Sequence, residues 1–412
     1  MARGGKTGAL FDPARFLDDL KQPGLVSAID LARWLAASIV AIGHARFALL
    51  KGYGFLDAAD RPLWVQGWYF VTGYFVEAVL VFFVLSGFLV GGMGLARMQQ
   101  RSFGAAGYAV DRFSRLYTAF LPALVLTAVL TAIGIHWFGA TGLFDGTNPT
   151  FAEKGNMMNF AANTSWQTFV GNMVMVQGFA VPEYGANPPL WTLSLEFWFY
   201  VVFGLAGAAA MRQGAARLCF AILAVTALVV LGPMFWVYLG MWLLGVVAAV
   251  VRPPRWPLRA PSLTVTALAL LAGLLLLRRY ADAALDPSDI LRFGIQYGIC
   301  AAMALLLLGL RSCPLKGPLP MAKFHKFMAD FSYSLYLIHF PVLMLAAAVL
   351  GTLTGNPGYR TGFAPTEPLA LASYAGSLAI AYGFAWIFAA ATERQTGRVR
   401  RWVKARINTK LR

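Results

Sequence analysis

Charge is what this sequence lacks. Only 13% of its 412 residues are charged, and acidic side chains are the scarcer kind, 18 Asp and Glu against 34 Lys and Arg. A soluble chain carries about a quarter charged residues, so a soluble globular fold is excluded. Cysteine is nearly missing: Cys219, Cys300 and Cys313 are scattered, without a CxxC pair. That spacing excludes a disulfide framework and a cysteine zinc site, and no metal is expected. Also lacking are a long charged linker and an internal repeat of the kind inverted-repeat transporters carry. About 26 mostly polar residues precede the first apolar segment and no small-residue cleavage site follows it, so a signal peptide is not expected.

What is present is apolar length. Hydrophobic residues make up 59% of the chain, in runs that reach the roughly 20 residues a helix needs to cross a bilayer. The segments fall near 27–50, 71–96, 114–138, 191–211, 216–232, 233–251, 261–278, 291–310, 327–352 and 367–391. An eleventh run, Trp166 to Val181, is short and holds Asn172 and Gln177. Charge decides how to read it. If it does not span, roughly three quarters of the Lys and Arg residues fall on one side, as the positive-inside rule requires. If it spans, every later connector inverts and the basic stretch after Glu393 lies outside.

The expected fold is therefore all-α: a polytopic bundle of about ten transmembrane helices in the cytoplasmic (inner) membrane, both termini cytoplasmic. Residues 1–26 form a cytoplasmic leader in which LFDPARFLDDL is a candidate amphipathic helix lying on the membrane. Residues 27–392 form the membrane domain, with 139–190 an outer loop holding a re-entrant or surface helix. Residues 393–412 form a basic cytoplasmic tail facing anionic lipid. The net charge of +16 sits in connectors and this tail, so nucleic acid is not the expected partner.

Polar residues inside apolar helices are costly and mark candidate sites. Arg33 and His44, eleven residues apart in the first segment, are three helical turns plus about 20° apart and share a face, about 16 Å along the axis. A neutral imidazole takes a proton from a hydroxyl near neutral pH; the plainer reading is a packing histidine, with Arg33 snorkelling to the inner interface. Arg112 and Arg115, at i and i+3, present two guanidiniums suited to phosphate at the membrane surface, or serve as inside anchors. Ser86-Gly87 within VFFVLSGFL allows close helix approach, and Glu77 lies one to two turns earlier. The run PPLWTLSLEFWFY places Trp191, Glu196 and Tyr200 in one apolar helix, Glu196 toward its outer end. His339 closes FSYSLYLIH, and Glu393-Arg394 ends the last segment as a candidate local ion pair.

Taken together and in this order, these pieces resemble the membrane-bound acyltransferase family 3, from about Ala28 to Arg394. The matching residues are Arg33 with His44, FFVLSGFL, Arg112-x-x-Arg115, WTLSLEFWFY, FSYSLYLIH and Glu393-Arg394. The resemblance implies transfer of an acyl group, acetyl by default, from cytoplasmic acyl-coenzyme A to a hydroxyl of a carbohydrate or glycolipid. It places catalysis on His44 and Arg33, with Glu196 to orient His44 or bind the sugar, and donor binding on Arg112, Arg115 and Arg33. Glu77, Ser86, Trp191, Tyr200, His339 and Glu393 are candidate cavity-lining residues. His44 acts as general base or takes the acyl group transiently; both stay open. The competing reading is a transporter or flippase for a glycolipid or small solute, which also needs a polar-lined cavity. Labelled acetyl-coenzyme A separates the two, because a transporter releases no coenzyme A thiol. A non-catalytic envelope scaffold predicts instead that no intramembrane polar residue is essential.

Overall fold

The longest apolar helix shows first how sequence sets this architecture. Gly214–Val250 runs 37 residues, about 55 Å if straight, far more than a hydrocarbon core of about 30 Å. It does not run straight. Gly232 takes φ +77°, a left-handed backbone that suits glycine, and Pro233 follows without an N–H to continue the ladder. The Trp236 indole donates to the Leu228 carbonyl at 2.7 Å, covering the break. Each half is long enough to cross alone.

The computed structural model describes residues 11–149, 159–251, 261–284, 289–313 and 315–410. In chain order the α-helices of seven residues or more are α1 Pro13–Asp19, α2 Pro23–Leu49, α3 Leu63–Val71, α4 Phe75–Ser86, α5 Gly92–Gln99, α6 Ala105–Phe138, α7 Trp166–Met173, α8 Trp191–Met211, α9 Gly214–Val250, α10 Pro261–Ala284, α11 Asp289–Ser312, α12 Ala322–Ala329, α13 Ser332–Thr354, α14 Pro368–Ala391 and α15 Thr396–Lys410. A π-helical turn, Gly87–Gly91, joins α4 to α5. Among the described residues the fold is all-helical, and nine helical stretches are long and apolar enough to cross a membrane. The ten expected segments and these nine differ at one place: 216–232 and 233–251 are the two halves of α9. The run 166–181 forms the eight-residue α7, about 12 Å long and too short to cross.

The chain divides into two compact units, each built from discontinuous pieces. The first comprises Met1–Arg33, Val79–Ala109 and Trp198–Lys326. Within it α1 is capped by Asp12, which accepts from Arg15 N at 3.2 Å, with Pro13 opening the helix. The α1 residue Phe16 is fully buried in protein, edge-on to Phe88, rather than spread on a membrane surface. The Asp19 carboxylate meets Arg311 Nε at 2.9 Å with both side chains buried. Arg311 also donates to the carbonyls of Ala248, Ala249 and Val251, acceptors that the end of α9 leaves without intrahelical partners.

The Ser86-Gly87 pair does what small residues do in membrane helices. A Cβ built on Gly87 would lie 1.9 Å from the Trp242 carbonyl oxygen, and one on Gly245 would lie 2.0 Å from that of Val84. The two backbones touch there, and nothing larger fits.

The second unit comprises Trp34–Ala78, Val110–Phe197 and Phe327–Arg412. Its core runs along α13, buried almost continuously from Ser332 to Met344. The α14 helix packs along α13, and Leu50 bridges to Phe363.

Candidate active site

The site forms where α2 meets α13. Gly43 lets α2 approach the turn before α4: a Cβ there would lie 3.0 Å from the Thr72 carbonyl oxygen and from the Phe75 ring. The next residue, His44, therefore lies against Phe75, ring centroids 5.1 Å apart. Phe340 of α13 meets the same imidazole edge-on at 5.2 Å. Between these apolar walls His44 Nδ1 lies 2.8 Å from His339 Nε2. The two rings are parallel within 1° with centroids 5.1 Å apart, the separation of imidazoles joined edge to edge along an N–H···N line.

The protons in this pair follow from its surroundings. His339 is fully buried, and its Nδ1 faces two backbone carbonyls, Tyr336 O at 2.8 Å and Leu335 O at 3.0 Å. Carbonyls only accept, so Nδ1 carries the hydrogen, and in the neutral ring Nε2 holds the lone pair. His339 Nε2 therefore accepts and His44 Nδ1 donates. That assignment leaves the lone pair of neutral His44 on Nε2. The His44 side chain is partly exposed, and Nε2 makes no hydrogen bond among the described residues. The result is a base whose tautomer is set from behind by a second histidine, the part a carboxylate plays in a serine hydrolase triad.

The second histidine is itself held. Pro341, two residues on, cannot donate to the Leu337 carbonyl. Asn187 supplies the missing donor, Nδ2 to Leu337 O at 2.9 Å, and also meets Thr127 Oγ1 at 2.9 Å. One turn before His339, the Tyr336 hydroxyl meets Thr192 Oγ1 at 2.5 Å and donates to Pro189 O at 3.0 Å. One turn earlier still, the Tyr333 hydroxyl donates to Leu116 O of α6 at 3.3 Å. From Tyr333 to His339 is six residues, about 9 Å of helix.

These contacts set the level of the remaining candidates. Arg115 adjoins Leu116, and Arg112 lies four residues before it, about 6 Å further from the histidines along α6. Arg112 is part-buried and Arg115 exposed. Phe113 stacks on Phe197 with centroids 5.1 Å apart, so Glu196 lies at the level of the arginine pair. Glu196, expected toward the outer end of its helix, thus stands level with residues expected at the inner entry of α6. The loop before α8 folds inward, with Gln177 and Asn187 fully buried and Gln177 Nε2 bonded to Leu190 O. The start of α8 at Trp191 is thus level with the second turn of α13. Irregular backbone of this kind is tolerated where protein rather than lipid surrounds it. The role expected of Glu196 in orienting His44 also moves, since His339 takes the Nδ1 hydrogen bond.

Arg33 lies on α2 eleven residues before His44 and is part-buried. Glu77, two residues after Phe75, is buried in the first turn of α4, where a carboxylate is favoured by the helix dipole. The Glu393 carboxylate accepts from the Ser334 backbone N–H at 3.0 Å and its hydroxyl at 2.9 Å, capping the start of α13, while Arg394 lies over Trp386. Within the first unit Ser86 and Tyr200 are hydrogen-bonded to each other at 3.0 Å, and Ser86 Oγ also accepts from the Trp242 indole at 3.1 Å. Asn187, Thr192 and Tyr336 were not singled out from sequence. The available signals were Pro341 beside His339, and an Asn placed directly before Pro-Pro.

A family model described as an acyltransferase domain matches residues 26–390, nearly the whole chain. An uncharacterized protein of Haemophilus influenzae is 27% identical over 127 residues, 30% of this chain and 46% of that protein. The match therefore spans less than half the length of that curated relative. No solved structure matches the chain.

Proposed function

The chain belongs to the membrane-bound acyltransferase family 3, and on that premise we propose that it is an O-acyltransferase using a cytoplasmic acyl-coenzyme A, acetyl by default, and a carbohydrate or glycolipid hydroxyl. The observation that carries the reading is the His44–His339 pair, whose hydrogen bonding leaves His44 Nε2 bare and oriented. A hydroxyl placed at Nε2 gives up its proton as its oxygen attacks the thioester carbonyl. The tetrahedral intermediate collapses, the carbon–sulfur bond breaks, and the departing thiolate takes the proton back from Nε2. One ester forms, one thioester is lost, and coenzyme A leaves as free thiol. His339 accepts the Nδ1–H of His44 throughout and holds the ring while the imidazolium exists.

The donor's phosphates bind Arg112 and Arg115, two guanidiniums at helical spacing near one end of α6. With the levels described above, an acyl group carried on a flexible arm travels on the order of 10–15 Å from those arginines to the histidines. The charge distribution supports a cytoplasmic donor side, an inner-membrane location and cytoplasmic termini. Expected of His44→Ala is loss of thiol release from acetyl-coenzyme A with normal membrane insertion; full activity in that variant removes the base. The same assay without acceptor distinguishes the chemistry. Direct transfer gives no burst, and an acyl-enzyme gives one equivalent of thiol per protein.

A further inference from the structure

The helix α15 lies beyond the residues matched to the family, and the scheme above does not use it. Its sequence, TGRVRRWVKARINTK, holds six cations and no acid. Two tethers fix where it runs. Just before it, Glu393 is bonded to Ser334, whose neighbour Tyr333 reaches Leu116 of α6. At its middle, Lys404 Nζ lies 2.6 Å from Asp111 Oδ1, on an aspartate that is 7% exposed. The start of α15 is thus held at the level of Leu116 and its middle at Asp111. Between those two positions on α6 stand Arg112 and Arg115.

The helix therefore passes alongside the arginine pair. Arg400 and Arg401, four and three residues before Lys404, share the face that Lys404 turns to α6. Among the described residues no carboxylate pairs with Arg115, Arg398, Arg400 or Arg401. Gathering this many guanidiniums with so little acid is unfavourable unless an anion joins them. A buried aspartate that draws a polycationic helix onto two arginines is a costly arrangement for a surface that only needs to be basic.

We propose that α15 completes the donor site, with Arg398, Arg400 and Arg401 joining Arg112 and Arg115 around the nucleotide phosphates of acyl-coenzyme A. This rests on acyl-coenzyme A being the donor. Phosphate is also the chemistry of anionic lipid headgroups, so the test separates the two sources.

Full-length protein and the triple variant Arg398→Gln/Arg400→Gln/Arg401→Gln are placed in zwitterionic phosphatidylcholine nanodiscs, and kcat and KM are measured with acetyl-coenzyme A and with acetyl-pantetheine, which carries no phosphate. In the variant, KM for acetyl-coenzyme A rises about tenfold or more, the loss of one or more charge-assisted hydrogen bonds. Its kcat is unchanged, and acetyl-pantetheine turns over as in wild type, which also shows that the fold is intact. Lys404→Gln, which releases the tether, shifts the same KM in the same direction. An unchanged KM for acetyl-coenzyme A overturns the proposal. So does a rise seen only when anionic phosphatidylglycerol is included, which assigns the helix to lipid. Wild-type protein that transfers nothing from acetyl-coenzyme A instead removes the donor reading on which the proposal stands.

Discussion

At the scale of single residues, the histidine pair separates two kinds of contribution. In the proposed reaction His44 offers the atom that meets substrate, whereas His339, fully buried and bonded to its own helix backbone, acts through His44 as a positioning residue. Replacing His339 by Leu removes the acceptor for His44 Nδ1–H and frees the wrong tautomer. The expected outcome is a fall in kcat of about 10²- to 10⁴-fold with KM for the donor unchanged. Gln keeps an acceptor oxygen and restores part of the rate. If Leu and Gln behave alike in kcat and in pH profile, the tautomer argument fails. Both histidines were legible in the sequence as polar residues in apolar helices. Their pairing was not, because 295 residues separate them and no local pattern reports a contact that distant.

At the scale of elements, close approach is bought with glycine and held with buried polar contacts. Gly87→Ala drives a methyl group into the Trp242 carbonyl, a backbone atom that cannot swing aside. Lower thermal stability in detergent than for Gly104→Ala, where a Cβ meets nothing within 4 Å, is the expected result. Equal melting of the two checks against it. The Asp19–Arg311 pair ties α1 to the ends of α9 and α11. Asp19→Ala leaves a buried guanidinium without its carboxylate, at a cost of about 3–5 kcal/mol, readable as a lowered melting temperature. Asp19→Ala that melts with wild type denies the pair that role. The periodicity of LFDPARFLDDL was readable as a short amphipathic helix, but its partner was not. An amphipathic face looks the same in sequence whether lipid or protein covers it.

At the scale of the whole molecule, topology follows from where the cations sit. Both ends and the connectors rich in Lys and Arg are expected on the cytoplasmic side, and the 139–190 loop outside. A cysteine placed at Thr147, in the loop after α6, should react with an impermeant maleimide added to intact cells. A cysteine placed at the exposed Gln213, in the connector before α9, should react only after the membrane is opened. The reverse pattern inverts the assignment of donor and acceptor sides. The break at Gly232 belongs to the same question: two crossings in α9 return the chain, and one does not. Gly-Pro within an apolar run was the sequence signal for that break, and the left-handed Gly232 is its physical form.

By itself the sequence determined that this is a polytopic helical membrane protein of a particular family, because apolar length, charge placement and ordered motifs are local properties that survive without coordinates. It also marked His44, His339, Arg112 and Arg115, since a polar group in an apolar helix stands out wherever it occurs. Only the tertiary structure decided which of them meet. It put His339 behind His44, moved Glu196 to the level of the arginines, turned Glu393 into a cap, and laid α15 beside Arg112. Each of those facts is a contact between residues far apart in the chain. Such contacts are set by how helices pack, through a glycine or a proline at the crossing, and not by the pattern within any one helix.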